Sequence, residues 1–300
     1  MAVRRTTLFV PGTAPEEQIR NTILTCGADR VCLDLEDTVV ASRKQEGREM
    51  IARLLQEEIW GRSDRAVRIN AVSSPYAEDD ITELLTLSGG MVDTLLLSKP
   101  ESVDEIRWID NLVDKLRRKL GFERKIGYLV GMESARALTD IDLLSSCSPN
   151  VSGLGFAIGD LCTSLGVRVT AYMRDRSLYP GDLFHFHRAR IVLAARTWGL
   201  EAMDAPWPIV NDHATLAEDA RWGAMMGFNG KLVLVPEQIK IVHQAYRPSD
   251  ADIAHAKHML AQMEKIVAGG DGAGVSGGDF LDPVVIGHAR ATLAAAAEPI

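Results

Sequence analysis

Apolar residues gather along this chain in eight short blocks: "TTLFVPG", "RVCLDLED", "RAVRIN", "TLLLSKP", "KIGYLVGME", "VSGLGFAIGD", "LEAMDAP" and "KLVLVP". Such near-continuous apolar runs read as strands buried on both faces. Between the blocks the period changes. "AEDDITELLTLSG" and "TLAEDARWGAMMG" carry apolar residues at helical spacing and stop at glycine, as helices do. Buried strands alternating with amphipathic helices predict an α/β protein, a closed parallel TIM (β/α)8 barrel with helices around it. After the eighth block, "SDADIAHAKHMLAQMEKIVAGG" predicts a long helix capped by Ser249, then a glycine-rich run and a last helix. The expected organisation is a barrel over residues 1–240 and a C-terminal helical extension with a lid over 241–300. The glycines from Gly269 to Gly278 lack the Gly-Lys-Ser/Thr ending of a phosphate loop. They read as a flexible tether, or as a hinge for the last segment.

The blocks end in groups that can do chemistry: Asp34 and Glu36, Arg68 and Asn70, Lys99, Glu133, Asp160, Asp204. In a (β/α)8 barrel all downstream strand ends open on one face, so groups far apart in sequence converge there. Asp34, Glu36 and Asp37 would repel one another unless something positive sits among them. Glu133 and Asp160, expected to close strands five and six, become neighbours. Two carboxylates that leave positions for water or substrate oxygens suit Mg2+; alternatively each caps the helix after its strand. Arg68 shares a strand face with Asn70. It can meet an oxyanion or a carboxylate in fork geometry, or form a salt bridge to "DLED". Lys99 reads as base, substrate ligand or counter-charge. Near the start, Thr13 and Glu16 have the spacing of a capping box, and that helix start, with Arg4 and Arg5 before it, is a candidate anion site.

Composition narrows the partners. A formal charge of −8 over 300 residues argues against nucleic acid, whose phosphates demand a basic surface. An anionic small ligand then needs local cations or a metal. Cys26, Cys32, Cys147 and Cys162 show neither a C-x-x-C pair nor zinc spacing, which reads as reduced structural thiols. No block approaches the roughly 20 apolar residues that span a bilayer, and "MAVRRTTLFVPG" lacks a signal-type core. A soluble cytoplasmic protein without a membrane partner is expected. His185 and His187, like His255 and His258, read as surface or packing residues. Serine-hydrolase and dinucleotide motifs are lacking, so those classes are poor readings.

Taken in order, "RRTTLFVPG", "DLEDTV", "VRIN", "LSKPES", "GMESARAL", "GLGFAIGD" and "GFNGKLVLVPEQI" resemble the citrate lyase β-subunit-like branch of the HpcH/HpaI aldolase superfamily. The likeness covers essentially the whole chain. It implies a TIM barrel with Mg2+ on the downstream face, held by residues that match Glu133 and Asp160. It places the family's substrate arginine on Arg68 and a lid aspartate on Asp282, in "FLDPVVIGHA". It also implies a homotrimer or hexamer in which the lid closes over a neighbouring subunit. Asp34, Glu36 and Asp37 then orient metal-bound waters and Arg68, while Arg5 and Lys99 are candidates for contact with substrate or coenzyme A.

The simpler aldolases of the superfamily carry histidine where this chain has Asp37, which favours the CoA-dependent branch. Val235 stands where relatives usually have histidine, Ala137 where they have glycine, and "DAPWPIVND" departs from common family versions. The implied activity is a Mg2+-dependent carbon–carbon lyase that cleaves a malyl-, citramalyl- or citryl-CoA type of 3-hydroxyacyl-CoA to acetyl-CoA and a 2-oxo acid. The alternatives are a thioester hydrolase on the same scaffold and a citrate lyase β-type subunit acting on a carrier-protein thioester.

Overall fold

A computed structural model describes residues 4–297; the outermost residues of the two expected regions lie outside that range. Eight parallel strands form a closed barrel in sequential order: β1 (Thr6–Pro11), β2 (Arg30–Asp34), β3 (Asp64–Ile69), β4 (Thr94–Leu97), β5 (Gly127–Met132), β6 (Val151–Phe156), β7 (Glu201–Asp204) and β8 (Gly230–Val233). Each strand coincides with one of the eight apolar blocks. β1 closes the ring by pairing with β2 on one side and β8 on the other, with Leu8 opposite both Val31 and Val233.

Alternation along the strands sorts the barrel interior into layers. Its middle is apolar: Cys32, Ala66, Leu96, Leu129, Met203 and Leu232 pack together, with Phe9 against them. Two residues upstream on several of these strands are ionic groups, where Arg30 donates to Glu201 at 2.9 Å and lies 3.8 Å from Asp64. Two residues downstream of Cys32 and Ala66 come Asp34 and Arg68. The same period places Gly131 and Glu133 above Leu129. Apolar filling in the middle thus leaves charge at both rims.

The two helices expected between blocks are present as Ala77–Ser88 and His213–Met226, ended by left-handed Gly89 and Gly227. The capping box at Thr13 is not formed: the helix starts at Glu16 after Pro15, with no side-chain cap. Proline sits well at a helix start because it has no N–H to satisfy there.

The chain divides into two compact units, Arg4–Val242 and residues from His243 on. In the second, Ser249 caps the helix Asp250–Ala268 in a reciprocal box with Asp252. The glycine-rich run is not a structureless tether. Gly274–Ser276 and Asp279–Leu281 pair antiparallel, and left-handed Gly277 and Gly278 make the turn that side chains with a Cβ would strain. Asp282 then caps the helix Pro283–Ala297, its Oδ1 accepting from the Val285 amide at 2.8 Å. Among the described residues no helix is long and apolar enough to cross a membrane.

Candidate active site

The downstream face of the barrel opens into a cavity of about 640 Å³. Asp37, Arg68, Glu133 and Asp160 line it, with Phe9 and Leu232 from the barrel interior. Its side is walled by Val169 and Met173 from the helix Val169–Arg174 and by Pro206, Pro208 and Ile209 after β7. Pockets of this size and apolar lining, with few polar groups, are the usual form of small-molecule sites.

Glu133 directly follows β5 and is buried. Its Oε1 accepts the Lys99 backbone N–H at 2.6 Å, so the carboxylate folds back over its own strand. Gly131 makes that fold possible: a Cβ there would come within 2.5 Å of Glu133 Oε1 and 2.9 Å of the Leu97 carbonyl. Burial, together with the charges of Glu36 and Asp160, pushes the Glu133 carboxyl up to about 7 despite the Lys99 amide and Arg68. Asp160 lies inside the first turn of the helix Ile158–Leu165 rather than at the end of β6. The capping alternative fails for both acids. Ser134, not Glu133, caps the helix after β5, accepting from Ala137 N at 3.1 Å, and the helix carrying Asp160 has no side-chain cap.

The acidic motif after β2 is held from two sides. Asp34 is fully buried and takes a fork from Arg68, Nε at 2.6 Å and Nη2 at 2.7 Å. Its oxygens also accept from the Glu36 and Thr38 amides and the Thr38 hydroxyl. Burial would raise the Asp34 carboxyl, but Arg68 and these donors outweigh it and hold it low. Arg68 Nη1 reaches Asp37 at 3.4 Å and Glu36 Oε2 at 3.1 Å, the latter without hydrogen-bond alignment. Its guanidinium also lies over the Phe9 ring, 5.0 Å from the centroid. Lys99 Nζ donates to Glu36 at 2.6 Å and Asp37 at 3.3 Å and lies 3.7 Å from Asp160. Burial pushes the Glu36 carboxyl up; burial also opposes the charge of Asp37 beside it, but Glu36, Arg68 and Lys99 outweigh that and hold the Asp37 carboxyl low.

Other expected site residues fall elsewhere. Arg5 precedes β1 at the upstream rim, its amide bonded to Asp29 and its carbonyl to the Lys231 amide. Six strand residues at roughly 3.3 Å each separate it from the downstream face, so it does not reach this cavity. Asn70 is buried and bonded to Asp80 and Lys44. Asp204 forms an ion-pair network on the outer side of the barrel. Asp282 belongs to the second unit and is described there. Lys44 escaped sequence reasoning. It is buried and donates to the carbonyls of Leu35 and Glu36 and to Asn70 Oδ1, fixing the loop that carries the acids. Its only sequence signal is a lysine on the buried face of the helix Lys44–Gln56.

Asp34, Glu36, Asp37, Glu133 and Asp160 are five carboxylates. Arg68 and Lys99 touch them, and Lys44 lies behind. Negative charge remains in excess by two even when Lys44 is counted. Among the described residues no group of three or more His, Cys, Asp or Glu forms a ready metal cage. Glu133 and Asp160 nevertheless suit an ion that takes one or two carboxylates and keeps its waters. The elevated proton affinity of buried Glu133 is what an added cation would relieve.

Residues 5–236 match the HpcH/HpaI aldolase/citrate lyase family. The chain belongs to that family. It is 29% identical over 295 residues to the L-malyl-CoA/β-methylmalyl-CoA lyase of Cereibacter sphaeroides, covering 95% of this chain and 92% of that protein. It is 30% identical to the mitochondrial citramalyl-CoA lyase of Homo sapiens, covering 97% and 84%. Among solved structures, the protein CitE from Mycobacterium tuberculosis in complex with magnesium, acetoacetate and coenzyme A superposes with a TM-score of 0.78 at 28% identity, over 99% of both chains. The family and its TIM barrel, expected from the ordered motifs, are thereby established.

Proposed function

We propose that this family member is a Mg2+-dependent acyl-CoA carbon–carbon lyase, cleaving a 3-hydroxyacyl-CoA of the malyl, citramalyl or citryl type to acetyl-CoA and a 2-oxo acid. The observation that carries the reading is the convergence of Glu133, Asp160 and Arg68 on one apolar cavity. The names of the relatives, and the magnesium and coenzyme A bound to the M. tuberculosis protein, point the same way.

Cleavage passes the hydroxyl proton to solvent, breaks the bond between the α and β carbons, and leaves the electron pair as a thioester enolate that must gain a proton, so that no net proton is consumed. Glu133 and Asp160 would hold Mg2+, which when bound supplies a Lewis acid for the hydroxyl and carboxylate of the departing 2-oxo acid. Arg68 stabilises the enolate oxygen. Its Nε and Nη2 are committed to Asp34, while the longer contacts of Nη1 to Glu36 and Asp37 are the ones a substrate oxyanion replaces. Burial opposes the Arg68 charge, but Asp34 and Glu36 overcome it and keep the guanidinium cationic. The wall of Val169, Met173 and Pro206 makes this side of the cavity apolar, and a less polar surrounding strengthens these interactions. We assign delivery of the proton to the enolate carbon to Asp282, in a homotrimer or hexamer as the resemblance implies.

Incubating the purified protein with malyl-, citramalyl- and citryl-CoA, with and without Mg2+, tests the reading. Acetyl-CoA with glyoxylate, pyruvate or oxaloacetate, formed only with Mg2+, is the expected result. Release of free hydroxy acid and CoA would make the protein a hydrolase. Inertness toward every free CoA ester, with turnover of a carrier-protein thioester, would make it a citrate lyase β-type subunit.

A further inference from the structure

Lys99 is the single described non-glycine residue in the left-handed region, with φ of 50°. Such a conformation is strained for a residue with a Cβ and persists where the surroundings hold it in place. Two sets of contacts do so here. The turn points the Lys99 amide at Glu133 Oε1, at 2.6 Å, and sends the ammonium back among Glu36, Asp37 and Asp160 at 2.6, 3.3 and 3.7 Å. One residue therefore touches both acids assigned to the metal, one through its backbone and the other through its charge. Pro100 follows, and a proline disfavours the ordinary helical conformation in the residue before it.

The structure assigns Lys99 as the internal counter-ion of the carboxylate cluster: we infer that its ammonium competes with the divalent cation for the acids while its amide keeps Glu133 aimed. The inference rests on the metal reading of Glu133 and Asp160. Lys99 is accordingly a positioning residue, distinct from the substrate ligand that its location at the mouth suggests. A lysine suits this use better than an arginine, because a compact charge on a flexible stem can leave without breaking a fork of hydrogen bonds. The contrast is close at hand, since Arg68 is locked to Asp34 by two short bonds.

Binding of Mn2+ to the full-length protein, followed through the EPR signal of the free ion and displaced by Mg2+, tests the inference without reference to turnover. Lys99→Met keeps the stem and the backbone strain and removes the charge. It should bind Mn2+ about tenfold more tightly than the wild type, the scale of removing one unit charge beside a divalent ion even at high dielectric. Lys99→Arg, which keeps the charge and holds the acids more firmly, should bind no more tightly than the wild type. The Tm in EDTA should fall for Lys99→Met and be regained when Mn2+ is added. Should Lys99→Met fail to fold, Lys99→Gln replaces it with the same expectation. Unchanged or weaker Mn2+ binding in the charge-free variant, beside a wild type that binds the ion, would overturn the counter-ion role and leave the metal reading standing. A wild type that binds no ion would overturn both.

Discussion

Two of the ionic clusters around this barrel differ in how their charges balance. On the outer side of β7 and β8, Arg188 bonds Asp182, Asp204 and Asp219 at 2.8–3.0 Å, and Lys231 bonds Asp204 and Asp219 at 2.8 and 2.6 Å. Three acids surround two bases in a space where Arg188, Lys231 and Asp204 are at most 1% exposed. At the mouth, five acids face three bases, and the cluster opens onto a cavity. Asp219 illustrates the first environment: burial pushes its carboxyl up, yet Lys231 and Arg188 bring it down to about 2. Glu133 illustrates the second, raised to about 7. A nearly balanced network reinforces the fold, whereas an acid-rich one stores unfavourable charge that a divalent ion can relieve.

The contrast can be broken most visibly by activity. Glu133→Ala and Asp160→Ala should each lower kcat/KM with the best CoA ester by about a thousandfold or more, as loss of a central electrostatic group does. Asp282→Asn should lose turnover while keeping metal affinity. Wild-type rates in any of these would remove that residue from the site.

Stability gives the next largest effect, with opposite signs in the two clusters. Lys231→Met leaves Asp204 and Asp219 short of a buried partner and should cost about 3–5 kcal/mol in chemical denaturation. Glu133→Gln removes a buried charge held at a penalty, so the EDTA-treated variant should be more stable than wild type by about 1–3 kcal/mol at pH 8.

The pH profile sharpens this further. Because the folded state raises the Glu133 pKa, metal-free wild type should lose stability relative to Glu133→Gln as pH rises from about 4.5 through about 7, and Mg2+ should abolish the decline. Asp219 runs the other way. Its folded pKa is depressed, so its contribution is complete above the ordinary carboxylate range and is lost as pH falls toward about 2. Denaturation midpoints from pH 2 to 8 for wild type, Glu133→Gln and Asp219→Asn check both signs.

Legibility in the sequence followed from what each feature depends on. The strands were readable because a strand buried on both faces must be apolar throughout, and β2 and β4 are buried at every position. The carboxylates at the mouth were readable because the downstream ends of all the strands open on one face, although the same signal also picked out Asp204, which pairs with Arg188 and Lys231 on the outer side. What failed depended on neighbours remote in sequence or on local backbone. Pro15 displaced the helix start that Thr13 and Glu16 advertised. Arg5 stands ahead of its strand, which by itself places it at the upstream rim. Lys44 and Arg188 look like ordinary helix residues until the fold brings Leu35, Asp204 and Asp219 against them. The fold-back of Glu133 needs Gly131 and the left-handed turn at Lys99 together, a coincidence that strand periodicity does not signal.

The most direct test of the account is calorimetric titration of the metal-free protein with Mg2+ at pH 8, in parallel for wild type, Glu133→Gln and Asp160→Asn. One ion bound per chain by the wild type, with binding lost in both variants, is the result the account predicts. Equal Mg2+ binding in all three proteins, or none in the wild type, would contradict it.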